Sequence, residues 1–271
     1  FVYSCANIAR PGGGPKDSAP PVFVRSNPMP NTVNFDKKRI DIEFDENIIL
    51  EKVTEKVIIS PAQKEMPVIR ANGKRIQIDL VDSLLPNTTY TIDFSDAIVD
   101  NNEKNPLRNF SLAFSTGPTI DSLQISGIAL DAGNLEPVTG IMVGLHSDLN
   151  DSAFITTPME RLAITDAYGR FNVKNVAPGK YRIYALKDMN RDYRFDNPAE
   201  DLAFYDSVIS PTVEMKLHID TFWLDSVTVD TVMSVAYPHY YPDNVLLRVF
   251  NEQFKSRYIE KNDRPERYKL N

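Results

Sequence analysis

Three observations predict an all-β chain built as a tandem of antiparallel β-sandwiches. Apolar and polar residues alternate with a period of two through most of the sequence after Pro21. The alternating runs are short and are closed by Pro, Gly, Asn, Asp and Ser. No long stretch with helical apolar spacing competes with them. A length of 271 residues suits about two domains, each large enough to bury a core of its own.

The elements follow in order. Ile40, Ile42 and Phe44 alternate with Asp41, Glu43 and Asp45, a half-buried strand. Val57-Ile58-Ile59 stops at Ser60-Pro61, and Ile76, Ile78 and Leu80 alternate with Gln77 and Asp79. Leu85-Pro86-Asn87-Thr88 turns the chain into Tyr90-Thr91-Ile92-Asp93-Phe94. Phe110, Leu112 and Phe114, alternating with Ser111, Ala113 and Ser115, close a first sandwich over residues 22–117. Gly117-Pro118 ends it. A second sandwich is expected over 118–212, with Gly140 to Val143 as a strand and an insertion around Ser147 to Glu160. Gly169 and Gly179 are read as positive-φ turn positions, and Pro178-Gly179 as a type II turn feeding a strand from Tyr181 to Leu186. Residues 213–271 are expected to form a β-rich linker and the start of a further domain, with strands near 213–217, 227–235 and 245–250. Phe250, Phe254 and Tyr258 also fit one face of a helix.

Residues 1–21 differ in kind. The chain opens Phe1-Val2-Tyr3-Ser4-Cys5 without an initiator Met, so an upstream segment is expected. Cys5, with Ser4 and Val2 before it, resembles the end of a bacterial lipoprotein signal, which implies an acylated thiol; a lone buried thiol near a chain end is the other reading. Residues 1–4 would then have to be removed. Acyl chains hold a soluble domain on a membrane because each buried CH₂ contributes about 0.8 kcal/mol. Gly12-Gly13-Gly14 between prolines reads as a tether.

Composition excludes several function classes. A formal net charge of -7 argues against gripping a phosphate backbone, so no nucleic-acid partner is expected. The single Cys allows no internal disulfide. His146, His218 and His239 have no metal-ligand spacing, and no nucleophile elbow or phosphate loop occurs. The chain is therefore expected not to be an enzyme, and no catalytic residue is assigned.

The first sandwich resembles the bacterial Ig-like domains of the S-layer type. The resemblance rests on Ile40-x-Ile42-x-Phe44-x-Glu46, Ile58-x-Ser60-Pro61, Leu85-Pro86-Asn87-Thr88-x-Tyr90, Ile98-x-Asp100 and Phe114-Ser115-Thr116-Gly117. The second, with Thr165-Asp166-Ala167-Tyr168-Gly169-Arg170-Phe171 and Val176-Ala177-Pro178-Gly179-Lys180-Tyr181, looks like the carboxypeptidase regulatory-like, transthyretin-like sandwich. Joined to the Cys5 signal, this order resembles a group of outer-membrane lipoproteins of the Bacteroidota. The resemblance implies a lipid-anchored location at the cell surface. It also implies a structural accessory role beside an outer-membrane β-barrel protein and other envelope lipoproteins, the β-barrel assembly machine being the specific expectation. A glycan-binding lipoprotein of a nutrient-uptake system is the alternative.

Two segments carry candidate sites. Asp188, Asn190, Asp192 and Asp196 place oxygen donors as a calcium loop does, which makes a structural Ca²⁺ the one cofactor to consider. The loop departs from that pattern with Tyr193 at the sharp-turn Gly position and Ala199 at the bidentate Glu position, Glu200 and Asp201 being displaced. An Asx-rich turn capping its own backbone fits the same residues. The second segment, Tyr237, His239, Tyr240 and Tyr241 between Pro238 and Pro242, is a candidate partner- or sugar-binding patch. A stiff linker packed on the neighbouring sandwich is its alternative. Lys255, Arg257, Lys261, Arg264, Arg267 and Lys269 form a basic stretch diluted by Glu260, Asp263 and Glu266.

Overall fold

The computed structural model describes residues 18–223 and 229–252, and side chains outside 220–232. Cys5, the Gly12–Gly14 tether, the Phe254/Tyr258 face and the basic stretch lie outside the described residues. The first unit runs β1 (Phe23–Asn27), β2 (Arg39–Phe44), β3 (Ile48–Leu50), the single turn α1 (Val53–Lys56), β4 (Ile58–Ser60), β5 (Val68–Asn72), β6 (Arg75–Asp79), β7 (Thr89–Asp93), β8 (Ile98–Asp100), β9 (Pro106–Leu107) and β10 (Ser111–Ser115). The second runs β11 (Leu123–Asp131), β12 (Met142–His146), α2 (Ala153–Thr156), β13 (Arg161–Ile164), β14 (Arg170–Val176), β15 (Arg182–Leu186), β16 (Asp201–Phe204), β17 (Thr212–Trp223), β18 (Val229–Tyr241) and β19 (Val245–Asn251). Among the described residues no helix is long and apolar enough to cross a membrane.

In the first unit a four-stranded sheet ordered β1-β2-β6-β5 faces a three-stranded sheet ordered β10-β7-β4, and β3-β8-β9 forms a small third sheet. The predicted alternation sets the core. Ile40, Ile42 and Phe44 of β2 and Ile76 and Ile78 of β6 point inward onto Tyr90, Ile92, Leu112 and Phe114 from the other sheet. Tyr90 stacks on Phe114 with ring centroids 5.3 Å apart. Its hydroxyl accepts the Leu85 N–H at 2.8 Å. The Leu85-to-Tyr90 motif is thereby explained: Asn87 takes the left-handed conformation with φ 50°, and the Thr116 hydroxyl donates to the Leu85 carbonyl at 2.6 Å.

The second unit is one seven-stranded sheet ordered β13-β12-β15-β16-β19-β11-β14. Its two ends, β13 and β14, are joined by the Asp166–Gly169 turn, where the Asp166 N–H donates to the Arg170 carbonyl at 2.9 Å. The sheet thus curls around a core of Ile125, Val143, Ile183, Leu247 and their neighbours. Gly169 has φ 72°, as expected. Gly179 does not lie in the left-handed region, contrary to the expected type II turn. A side chain there would stand 3.3 Å from the Tyr181 ring, so Gly179 supplies clearance.

The C-terminal segment departs from the expected linker. β17 and β18 pair as a long antiparallel ribbon, and β19 then returns into the second unit, parallel to β11 from Gly127↔Val245 to Asp131↔Val249 and antiparallel to β16. Val245, Leu247 and Val249 are buried there. Period-two alternation marks β19 as a strand, but a sequence cannot announce a partner more than a hundred residues upstream.

The two units are welded together. The Ser60 hydroxyl accepts the Leu162 N–H at 2.9 Å, Thr91 donates to Asn175 at 3.0 Å, and the Lys174 ammonium lies 3.3 Å from Asp93. Arg161, largely buried, donates to the Thr89 carbonyl and stands 3.5 Å from Asp121 in the connecting segment. Ile58 of the first unit joins Phe154, Met159, Leu162, Tyr184, Leu186 and Leu202 of the second in one apolar cluster.

Candidate functional site

The β17–β18 ribbon is the most unusual surface among the described residues. Its strands pair in register from Thr212↔Tyr241 to Phe222↔Thr231, and among the described residues no third strand joins their sheet. At roughly 3.4 Å per residue the ribbon is about 40 Å long. Its base is fixed on β11, where the Ser126 N–H donates to the Pro242 carbonyl at 3.0 Å.

Directly opposed residues of an antiparallel pair share a face, so the register sorts the ribbon's side chains. One face carries Val213, Met215, Leu217 and Ile219 of β17 with Ser234, Ala236, Pro238 and Tyr240 of β18. Met215, Leu217 and Ile219 are 66%, 72% and 65% exposed. The opposite face carries Glu214, Lys216 and His218 with Val235, Tyr237 and His239. A largely apolar face on a two-stranded ribbon is unusual, because such a ribbon is marginal in water unless another surface covers it.

The tyrosine patch expected at 237–241 lies within β18, not in a linker, and the strand divides it. Tyr240 sits opposite Val213 on the apolar face, while Tyr237, His239 and Tyr241 fall on the other. His239 meets Tyr241 edge-on at 4.7 Å and its Nε2 lies 3.0 Å from Asp243. The Lys216 ammonium stands 4.9 Å from the Tyr241 ring centroid, and the hydrogen bond to Tyr241 holds it above its ordinary pKa. Pro238 is tolerated because a ribbon edge leaves main-chain donors unused.

The acidic loop is intact and largely self-satisfied. Asp188 accepts main-chain N–H groups of Asn190, Arg191 and Tyr193 at 3.1, 2.6 and 2.7 Å. Asn190 donates to Asp196 at 2.8 Å, and Asp192 pairs with the Arg194 guanidinium at 2.6 Å. Tyr193, at the expected glycine position, has φ 62°. As these side chains stand, among the described residues no three His, Cys, Asp or Glu groups are gathered to hold a metal ion. Tyr193 and Phe195 pack against the apolar cluster that joins the two units. Asn190, Arg191 and Tyr193 also form one wall of a cleft of about 460 Å³ whose other wall is Val57, Ile59 and Ile69 of the first unit.

Comparison with known proteins bears on the first unit. Residues 17–116 match the family model of the bacterial Ig-like domain. The first unit is Ig-like, and the all-β expectation holds across the described residues. No curated protein matches the chain. Similar solved structures include the N-terminal part of the bacterial S-layer protein SbsC, at 12% identity and a TM-score of 0.26, covering 63% of this chain and 41% of that one. The T6 backbone pilin of serotype M6 Streptococcus pyogenes is 10% identical, with a TM-score of 0.22 over 78% of this chain and 59% of the pilin. The D312A variant of BcpA, the major pilin subunit of Bacillus cereus, is 12% identical, with a TM-score of 0.21 over 86% and 70%. The chain thus spans less than two thirds of the first two proteins.

The inter-unit joint was not legible in the sequence. Arg161, Lys174 and Asn175 look like ordinary surface residues of strands. An Arg inside the alternation Arg161-Leu162-Ala163-Ile164, where Leu162 and Ala163 are also buried, is the only local hint.

Proposed function

We propose that this chain is a non-enzymatic structural protein of the bacterial cell envelope that docks a partner subunit through the apolar face of the β17–β18 ribbon. The observation that carries the reading is that face: Met215, Leu217 and Ile219 are exposed together on an arm projecting from a rigid two-unit base. Burying three such side chains stabilises a complex by about 1.5–3 kcal/mol each before the costs of association. The welded joint supports the reading, because a rigid base holds the arm in a fixed direction and lowers the entropy lost on docking.

The finer reading is a lipid-anchored outer-membrane lipoprotein, with Cys5 as the anchor and a transthyretin-like second unit. Its partner would be an outer-membrane β-barrel protein with its companion lipoproteins, as in β-barrel assembly. The Cys5 signal supports the location, and the bacterial Ig-like first unit supports the structural role.

The test is co-purification of the tagged full chain from detergent-extracted membranes, compared with the Leu217→Glu/Ile219→Glu variant. A stoichiometric β-barrel partner that is lost in the variant is expected. Retention of that partner in the variant would refute the arm's role. Saturable sugar binding that is lost in Tyr240→Ala would replace the reading with a glycan-binding one.

A further inference from the structure

The residue that the sequence pattern placed out of register is the informative one in the acidic loop. Glu200 follows Asp196 by four positions, one beyond the place where a calcium loop closes with a bidentate Glu. It is 2% exposed. One carboxylate oxygen accepts the Met189 N–H at 3.0 Å, which ties the group to the start of the loop, one residue along the chain from Asp188. The other oxygen is buried with no hydrogen-bond partner. A carboxylate in that position carries a desolvation penalty that a bound cation would offset.

We propose that residues 188–200 form a calcium site that Glu200 closes. Asp188, Asn190, Asp192 and Asp196 contribute side-chain oxygens, and the Arg194 carbonyl falls where such a loop places its main-chain ligand. Glu200 supplies up to two more oxygens. This set falls within the about six to eight hard oxygen donors that calcium takes. The extra residue in the loop is accommodated because Glu200 already reaches back to Met189. Binding requires the Asp192 and Asp196 carboxylates to turn from Arg194 and Asn190 toward the ion. Magnesium fits poorly, since it demands near-ideal octahedral geometry and gives up its water reluctantly. Tyr193 and Phe195 lie against the cluster joining the two units, so an ion here would fix the loop that buttresses the joint.

The experiment uses the full chain, stripped with chelator, and titrates CaCl₂ by calorimetry alongside trypsin digestion. Arg191 and Arg194 are cleavage sites inside the loop. One calcium per chain is expected, with cleavage after both arginines slowed by calcium and not by the same concentration of magnesium. Glu200→Gln and the exposed Asp196→Asn should each weaken binding by about tenfold or more. Asp206→Asn, an exposed acid outside the loop, should bind as the parent does. Absence of calcium binding, equal protection by magnesium, or unchanged affinity in both Glu200→Gln and Asp196→Asn would overturn the assignment. Asp196→Asn keeps the test valid if Glu200→Gln folds poorly.

Discussion

Replacing Gly127 with Ala tests the least local feature of the fold, the return of β19 to β11. A Cβ at Gly127 would stand 2.0 Å from the Val245 carbonyl oxygen, 2.7 Å from its carbon and 2.9 Å from the Phe171 ring. Two of these atoms are main chain and cannot rotate away, so β11 and β19 must separate where they now pair in parallel from Gly127↔Val245. Val245, Leu247 and Val249, at 1%, 0% and 4% exposure, would then lose their burial. Each contributes about 1.5–3 kcal/mol, and the extended-chain reference makes that an upper figure. Even partial separation therefore costs on the order of 3–5 kcal/mol, a large share of the about 5–15 kcal/mol available to a domain. Urea unfolding followed by circular dichroism would measure it. Gly140→Ala is the control: with φ 72° and nothing within 4 Å of its Cβ position, it costs only backbone strain of about 1–2 kcal/mol. If the two variants lose equal stability, β19 is not seated against β11 and the reasoning fails.

Three further outcomes are expected. Arg161→Ala removes a charged donor from the Thr89 carbonyl and the contact to Asp121; a loss of about 1.5–3 kcal/mol should appear in calorimetry as separate melting of the two units, and an unchanged single transition would count against a welded joint. Burial pushes the His146 imidazole below its ordinary 6.5, with Glu160 and Asp148 opposing. Its contribution is therefore present above pH 6.5 and lost as pH falls through the lowered folded value; His146→Phe should flatten the fall in melting temperature as pH drops below 6.5, and an equally steep fall would rule His146 out. Burial raises the Asp100 carboxyl, but the N–H groups of Asn105, Glu103, Asn102 and Lys104 outweigh it and hold the pKa below its ordinary 3.8. Asp100→Ala should lower the melting point at neutral pH, and the difference from the parent should shrink as pH drops below about 4; a pH-independent difference would assign the effect to packing alone.

The sequence alone determined the class of fold, because local alternation is a backbone property: side chains two residues apart share a face whatever lies across the sheet. Ile40, Ile42, Phe44, Ile76, Ile78, Tyr90 and Phe114 were legible as core for that reason, and so was the left-handed Gly169 turn. The acidic loop could be read from the spacing of its oxygens, but not Glu200, whose role depends on how far the chain folds back toward Met189. Tertiary structure alone decided the partnership of β19, the sorting of Tyr237, Tyr240 and Tyr241 onto opposite faces, and the joint through Ser60, Arg161, Lys174 and Asn175. Each of these depends on which residues far apart in sequence are brought to within a few ångströms, and pairing register is set by the cooperative burial of whole sheets rather than by any one strand's pattern.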